Sequence, residues 1–173
     1  VDTASRLLLA RQAEAFAHTD TIDAEPFAGI LERRAPVQRT WQGPVFVCEG
    51  TSPCAPEIVR ITETNADLLA AYLSAWLPDV PTSEFMFATV VDGHAVAVCS
   101  SVRVTSEAHE AGVETAPDFR RRGYAAKSVL AWAAAIRGAG YSPLYSTSWQ
   151  NAASRAVAAR ANLRRFGSDF HIT

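Results

Sequence analysis

Lysine is almost missing from this chain of 173 residues: of its 16 basic residues, Lys127 is the single lysine. Set against 18 acidic residues, the basic ones leave a formal net charge of −2. The basic excess of a general nucleic-acid binder is therefore absent, and no nucleic-acid partner is expected. Cysteine is scarce too. Cys48, Cys54 and Cys99 are an odd set without regular spacing, which argues against a disulfide framework. The four histidines, His18, His94, His109 and His171, are scattered, whereas metal ligands ordinarily come as close-spaced pairs. No metal site is expected. No apolar run approaches the ~18 residues of a membrane span. Nor does a basic segment followed by an apolar stretch open the sequence. A cytoplasmic protein with no membrane partner is the expectation.

What is present is ordinary globular composition, with 49% hydrophobic and 20% charged residues. A chain of this length can bury a core without disulfides or metals. Leu8, Leu9, Ala13 and Phe16 recur at helical spacing, so residues 2–17 read as a helix. A short helix is expected at 26–32 and a strand at 44–48. The Gly/Ser/Pro-containing stretch 50–56 reads as a loop. It divides an N-terminal extension, 1–55, of helix plus strand packed on the main domain, from that domain at 56–173.

Within 56–173 the reading is strand 57–61, then a helix over 66–76 capped by Thr64 or Asn65 and ended by Pro78 and Pro81. Asp92-Gly93 is a tight-turn dipeptide between β-rich runs at 85–91 and 95–104, a hairpin signal. A third strand at 108–116 stops at Pro117. A helix follows over 122–138, with Ala125, Val129, Trp132, Ala133 and Ile136 on one face. Then come a strand at 144–148, a helix capped by Asn151, and a closing strand at 166–172. The fold class is mixed α/β (α+β), with a meander in the middle and crossovers at the end.

The most informative stretch runs from Val113 to Ala126. A β-rich segment ends at Pro117, and Arg120-Arg121-Arg122-Gly123-Tyr124-Ala125 then leads straight into an amphipathic helix. The first N–H groups of a helix lack internal partners, and the peptide dipoles place partial positive charge at the same end. Gly123 lets a bulky anion approach the main chain, Ala125 is nearly as small, and three arginines add donors. Alone, this pattern fits a pyrophosphate site and an ordinary helix start beside a solvated arginine run equally well.

The pattern Arg120-x-x-Gly123-x-Ala125 resembles the coenzyme A pyrophosphate motif of the GNAT superfamily of acetyltransferases. The residues before it fit as well: alternating apolar positions, Pro117 and the aromatic Phe119 precede the arginine. Asn151-Ala152-Ala153-Ser154 resembles the second family motif, Asn-x-x-[Ala/Ser], at the next strand-to-helix junction. The resemblance covers roughly 57–172. The segments 110–115 and 143–149 are similar to an uncharacterised bacterial GNAT subgroup.

This resemblance implies a mostly antiparallel sheet splayed into a V-shaped cleft for acetyl-CoA, flanked by helices. It implies an N-acetyltransferase with a small-molecule, peptide or protein amine as acceptor, and no metal. Val113 and Thr115 would offer backbone groups to the pantetheine arm. Main-chain amides around Arg120, Arg121, Arg122, Gly123, Tyr124, Ala125 and Ala126 would hold the pyrophosphate. Asn151 and Ser154 would touch coenzyme A near the second junction, although a plain helix cap and a small packing residue explain them too.

For the base that deprotonates the amine, the candidates are Glu110, Glu114 and His109. Glu110 and Glu114, four apart, share one face of an unbroken strand, and His109 faces the other way; a bulge would change this parity. The plainer alternative for Glu114 is an ion pair with Arg103. Family members commonly carry a tyrosine seven residues after the motif asparagine, as acid for the leaving thiolate. Ala158 stands there in this chain, and Tyr145 or a hydroxyl among Ser146, Thr147 and Ser148 is the substitute. Asn162 replaces the usual glycine after that helix. Cys99 reads as a buried hydrophobe. A non-catalytic acyl-CoA-binding or sensing module is the alternative. Three roles stand open for residues 1–55: covering the cleft, making a homodimer contact, or packing as an extra layer.

Overall fold

Seven strands form one sheet in the order β2-β3-β4-β5-β6-β1-β7. The structure is a computed structural model and describes residues 23–50 and 55–173; the helix expected at 2–17 lies outside them. In chain order the elements are α1 (Glu25–Leu31), β1 (Thr40–Val47), β2 (Ile58–Arg60), two 3₁₀ segments (Glu63–Leu69 and Ser74–Thr82), β3 (Met86–Val91), β4 (His94–Val104), β5 (Ala108–Thr115), a 3₁₀ turn (Pro117–Phe119), α2 (Tyr124–Gly138), β6 (Ser142–Ser146), α3 (Ala152–Arg160) and β7 (Arg164–Ile172).

The hairpin forms at the turn dipeptide: Asp92 and Gly93 both take positive φ, as a tight two-residue connection demands. β2, β3, β4 and β5 make an antiparallel meander. The helix expected at 66–76 is instead a pair of 3₁₀ segments. Asn65 leaves helical geometry at φ −136°, because its side chain accepts from the Thr62 N–H at 2.8 Å and donates to the Arg60 carbonyl at 3.0 Å. Pro78 and Pro81 then lie inside the second segment and deny it the donors of a regular α-helix.

The sheet separates two cores. On one face α2 buries Val129, Trp132, Ala133 and Ile136 against Cys99, Ala111 and Tyr145. Each large side chain hidden this way contributes about 1.5–3 kcal/mol. On the other face Leu69, Leu73 and Val80 of the 3₁₀ region cover Met86, Ala88 and Val98. Trp132 also donates to Ser101 Oγ at 3.0 Å, so its indole nitrogen is satisfied in the core.

Residues 40–47 have a place that no local pattern announces. β1 lies inside the sheet, antiparallel to β6 on one side and to β7 on the other. Gly43 makes this possible: a Cβ there would stand 1.7 Å from the Thr147 carbonyl oxygen.

Candidate active site

β5 and β6 run parallel and pair only over Ala108–Glu110 with Ser142–Leu144. Beyond that point β5 stays with β4 as far as Thr115, while β6 follows β1. The sheet therefore opens into a V. The gap holds a cleft of about 280 Å³ lined by Ala111, Val113, Tyr145, Ser146, Asn151 and Ser154, with Trp41, Thr147 and Ser148 at its rim.

At one end of the gap stands the start of α2. Arg121 and Gly123 take φ of 62° and 87°, so two left-handed residues flank Arg122. Such alternation turns successive N–H groups toward one concavity, an anion-binding nest. No side chain caps this helix end. Arg120 Nε donates to the Thr115 carbonyl at 3.3 Å and ties the loop to the end of β5. Arg122 lies over the Phe119 ring at 5.5 Å. Tyr124 opens the helix, and its carbonyl accepts from Thr89 Oγ1 at 3.1 Å. Ala125 and Ala126 complete the first turn, with Ala126 buried. The helix start is thus anchored to β3 and β5, while its donors stay open.

The second junction is different. Asn151 Oδ1 accepts from the Ser154 N–H at 3.0 Å and caps α3. Ser154 Oγ and Tyr145 Oη share a hydrogen bond of 2.6 Å. Burial pushes the Tyr145 phenol above its ordinary range, against the opposing pull of Ser154. Ala158 is fully buried in the core beside Tyr145, so the tyrosine of the motif pattern has no counterpart on α3.

β5 itself has no bulge. The irregularity falls on β4, where Ser101 opposes Ala111 and Arg103 opposes Glu110. Glu110 and Glu114 accordingly share a face. The alternative ion pair between Glu114 and Arg103 does not form. Arg103 instead grips Glu110 through Nε at 2.8 Å and Nη2 at 2.9 Å, because the β4 irregularity brings these two residues opposite each other. Ser146 Oγ donates to the same carboxylate. Glu114 accepts from the Trp76 indole at 2.6 Å and is otherwise exposed. His109 is buried on the opposite face, bonded to Ser101 Oγ at 2.9 Å and packed on Phe85 and Tyr141. It is a core residue rather than the strand-end surface residue that its position in the sequence suggests. Cys99 is fully buried, and desolvation raises its thiol well above the ordinary value, as befits a packing residue.

Residues 83–161 match the family model of GNAT acetyltransferases. The match spans a little under half of the chain. The architecture agrees: solved GNAT structures share the mixed, mostly antiparallel open sheet. A protein of Novosphingobium aromaticivorans assigned to the GNAT family superposes with a TM-score of 0.59 at 21% identity, covering 78% of this chain and 64% of that one. A GNAT-family acetyltransferase of Colwellia psychrerythraea gives 0.61 at 13% identity, over 98% and 70%. A GCN5-related N-acetyltransferase-like protein of Streptococcus suis gives 0.56 at 14%, over 86% and 67%. The chain thus spans a little under two thirds of the first of these proteins. No curated protein matches the sequence.

The second motif lines the gap through Asn151 and Ser154, and the first is tied through Arg120 to the end of β5. Some of the gap's wall carries no local signal. Trp41 reaches the cleft only because β1 inserts beside β6; His171 of β7, joined to Asp169 at 2.7 Å, lies outside the lining and packs on Trp41. Arg103 extends toward this pair, 3.7 Å from Asp169, and so links β7 to Glu110 on β5. Among the described residues no cluster of three or more His, Cys, Asp or Glu could hold a metal, and no helix is long and apolar enough to cross a membrane.

Proposed function

We propose that the protein transfers an acetyl group from acetyl-CoA to an amine by direct attack. The observation that carries this reading is the gap between β5 and β6 beside an uncapped, nest-shaped helix start. The thioester supplies an activated acetyl group. The chain supplies position and proton handling. Val113 lines the gap and Thr115 ends the same strand, so β5 offers an open edge to an extended pantetheine arm. Main-chain donors at the start of α2 receive the diphosphate.

The Glu110 carboxylate is taken up by Arg103 and Ser146, which occupy both of its oxygens. We assign it to positioning. Glu114 keeps a solvent-facing carboxylate oriented by Trp76, and it takes the amine proton, directly or through one water. Tyr145 stays protonated because burial disfavours its phenolate, and it returns a proton to the departing thiolate. The relay from Tyr145 to Ser154 replaces the tyrosine missing at Ala158.

Isotope-labelled acetyl-CoA, incubated with a panel of small-molecule, peptide and protein amines, tests this reading. Transfer is expected, with Glu114→Gln and Tyr145→Phe each about a hundredfold slower at unchanged CoA affinity. The buried Ala158 favours one other reading, an acyl-CoA-binding module without turnover. CoA binding with no transfer to any amine would decide for it.

A further inference from the structure

The last turn of α3 carries a cation that the reading above does not use. A Cβ built on Gly123 would lie 2.4 Å from Arg160 Nε, 2.7 Å from Cζ and 2.8 Å from Nη2. Arg160 thus crosses from the end of α3 and rests its guanidinium against the main chain of the loop before α2. Among the described residues it has no ion-pair or hydrogen-bond partner there. Arg120, Arg121 and Arg122 belong to the same loop, Asp118 is the lone acid between Ala116 and Ala126, and the positive end of α2 adds to the field. Cations brought together in this way repel, and a bound anion relieves the repulsion.

We propose that Arg160 closes over the diphosphate of coenzyme A from the α3 side of the cleft, opposite the main-chain donors of α2. This inference rests on the CoA reading. The guanidinium fork suits paired phosphate oxygens, and an exposed side chain can shift by the short distance needed. The diphosphate then lies between two walls, one of main-chain N–H groups and one of side-chain donors. Gly123 serves both, because its φ needs glycine and the guanidinium needs the space a Cβ would fill.

Isothermal titration of the full chain with CoA, 3′-dephospho-CoA and pantetheine tests the proposal. Arg160→Ala is expected to weaken CoA and 3′-dephospho-CoA alike, by about tenfold or more, and to leave pantetheine unchanged. Arg160→Lys should recover part of the loss, since it restores charge without the fork. Both variants should melt with the wild type, because the side chain is exposed. An Arg160→Ala variant that binds CoA as well as the wild type, or better, overturns the proposal; tighter binding would make the guanidinium a plug. A loss confined to CoA and spared in 3′-dephospho-CoA also overturns it, as does a loss that extends to pantetheine. Failure of the wild type to bind CoA strikes the CoA reading itself.

Discussion

Two helices begin beside the cleft, and they treat their free N–H groups in opposite ways. α3 closes its own end: Asn151 accepts from the Ser154 N–H. α2 has no side-chain cap, and left-handed residues before it turn donors toward one concavity. Each free helix end has the same unmet donors and the same partial charge. The difference is that a cap spends those donors within the chain, while glycine at the cap position leaves them for a ligand. On the function proposed above, the α2 end receives the anion, and the α3 end is scaffold that also bonds Ser154 to Tyr145.

The sharpest way to break this contrast is Gly123→Glu. Its carboxylate would face the diphosphate across the open donors, and CoA affinity should fall about a hundredfold or more in a titration. The left-handed backbone adds a stability cost of about 1–2 kcal/mol. A variant that binds CoA normally would show that the open end is not the site. Next in size is Gly43→Ala, which disturbs the other wall. Its Cβ would strike the Thr147 carbonyl, on the stretch that leads into α3. A loss of about 3 kcal/mol is expected, read as a melting temperature lower by roughly 10 °C. An unchanged Tm would mean that β1 does not approach β6 as closely as described.

Asn151→Ala should cost about 1 kcal/mol through the lost cap. If α3 is scaffold, CoA affinity should then change less than with Gly123→Glu; the reverse ranking would exchange the roles of the two ends. The smallest effect is a pH slope. Tyr145 has a raised pKa in the fold, so its stabilisation is complete below the unfolded phenol value of about 10 and is lost as pH rises through the folded one. Chemical denaturation between pH 9 and 11 should show stability falling more steeply for the wild type than for Tyr145→Phe. Cys99, raised in the same sense, contributes equally to both curves.

The open end was legible in the sequence because every part of it lies within fourteen consecutive residues. Val113, Pro117, Arg120, Gly123 and Ala125 form a strand, a turn and a helix start whose geometry follows from local chemistry. The cap at Asn151 and the turn at Asp92-Gly93 were readable for the same reason. The 3₁₀ pair was not. Apolar spacing at Leu68, Leu69, Leu73 and Trp76 suits an α-helix, and only the hydrogen bonds of Asn65 to Thr62 and Arg60 show why the chain leaves it. The partner of Arg103 depended on an irregularity in the neighbouring strand, which shifts register without a local mark in the sequence.

By itself, then, the amino-acid order determined the strands and helices from β3 onward, the strand-turn-helix before α2 and the cap of α3, since each arises from contacts a few residues long. The opposite wall belongs to tertiary structure alone. Trp41, Glu110, Ser146 and His171 come together from four separate elements, and strand pairing set by burial and glycine clearance decides which of them meet.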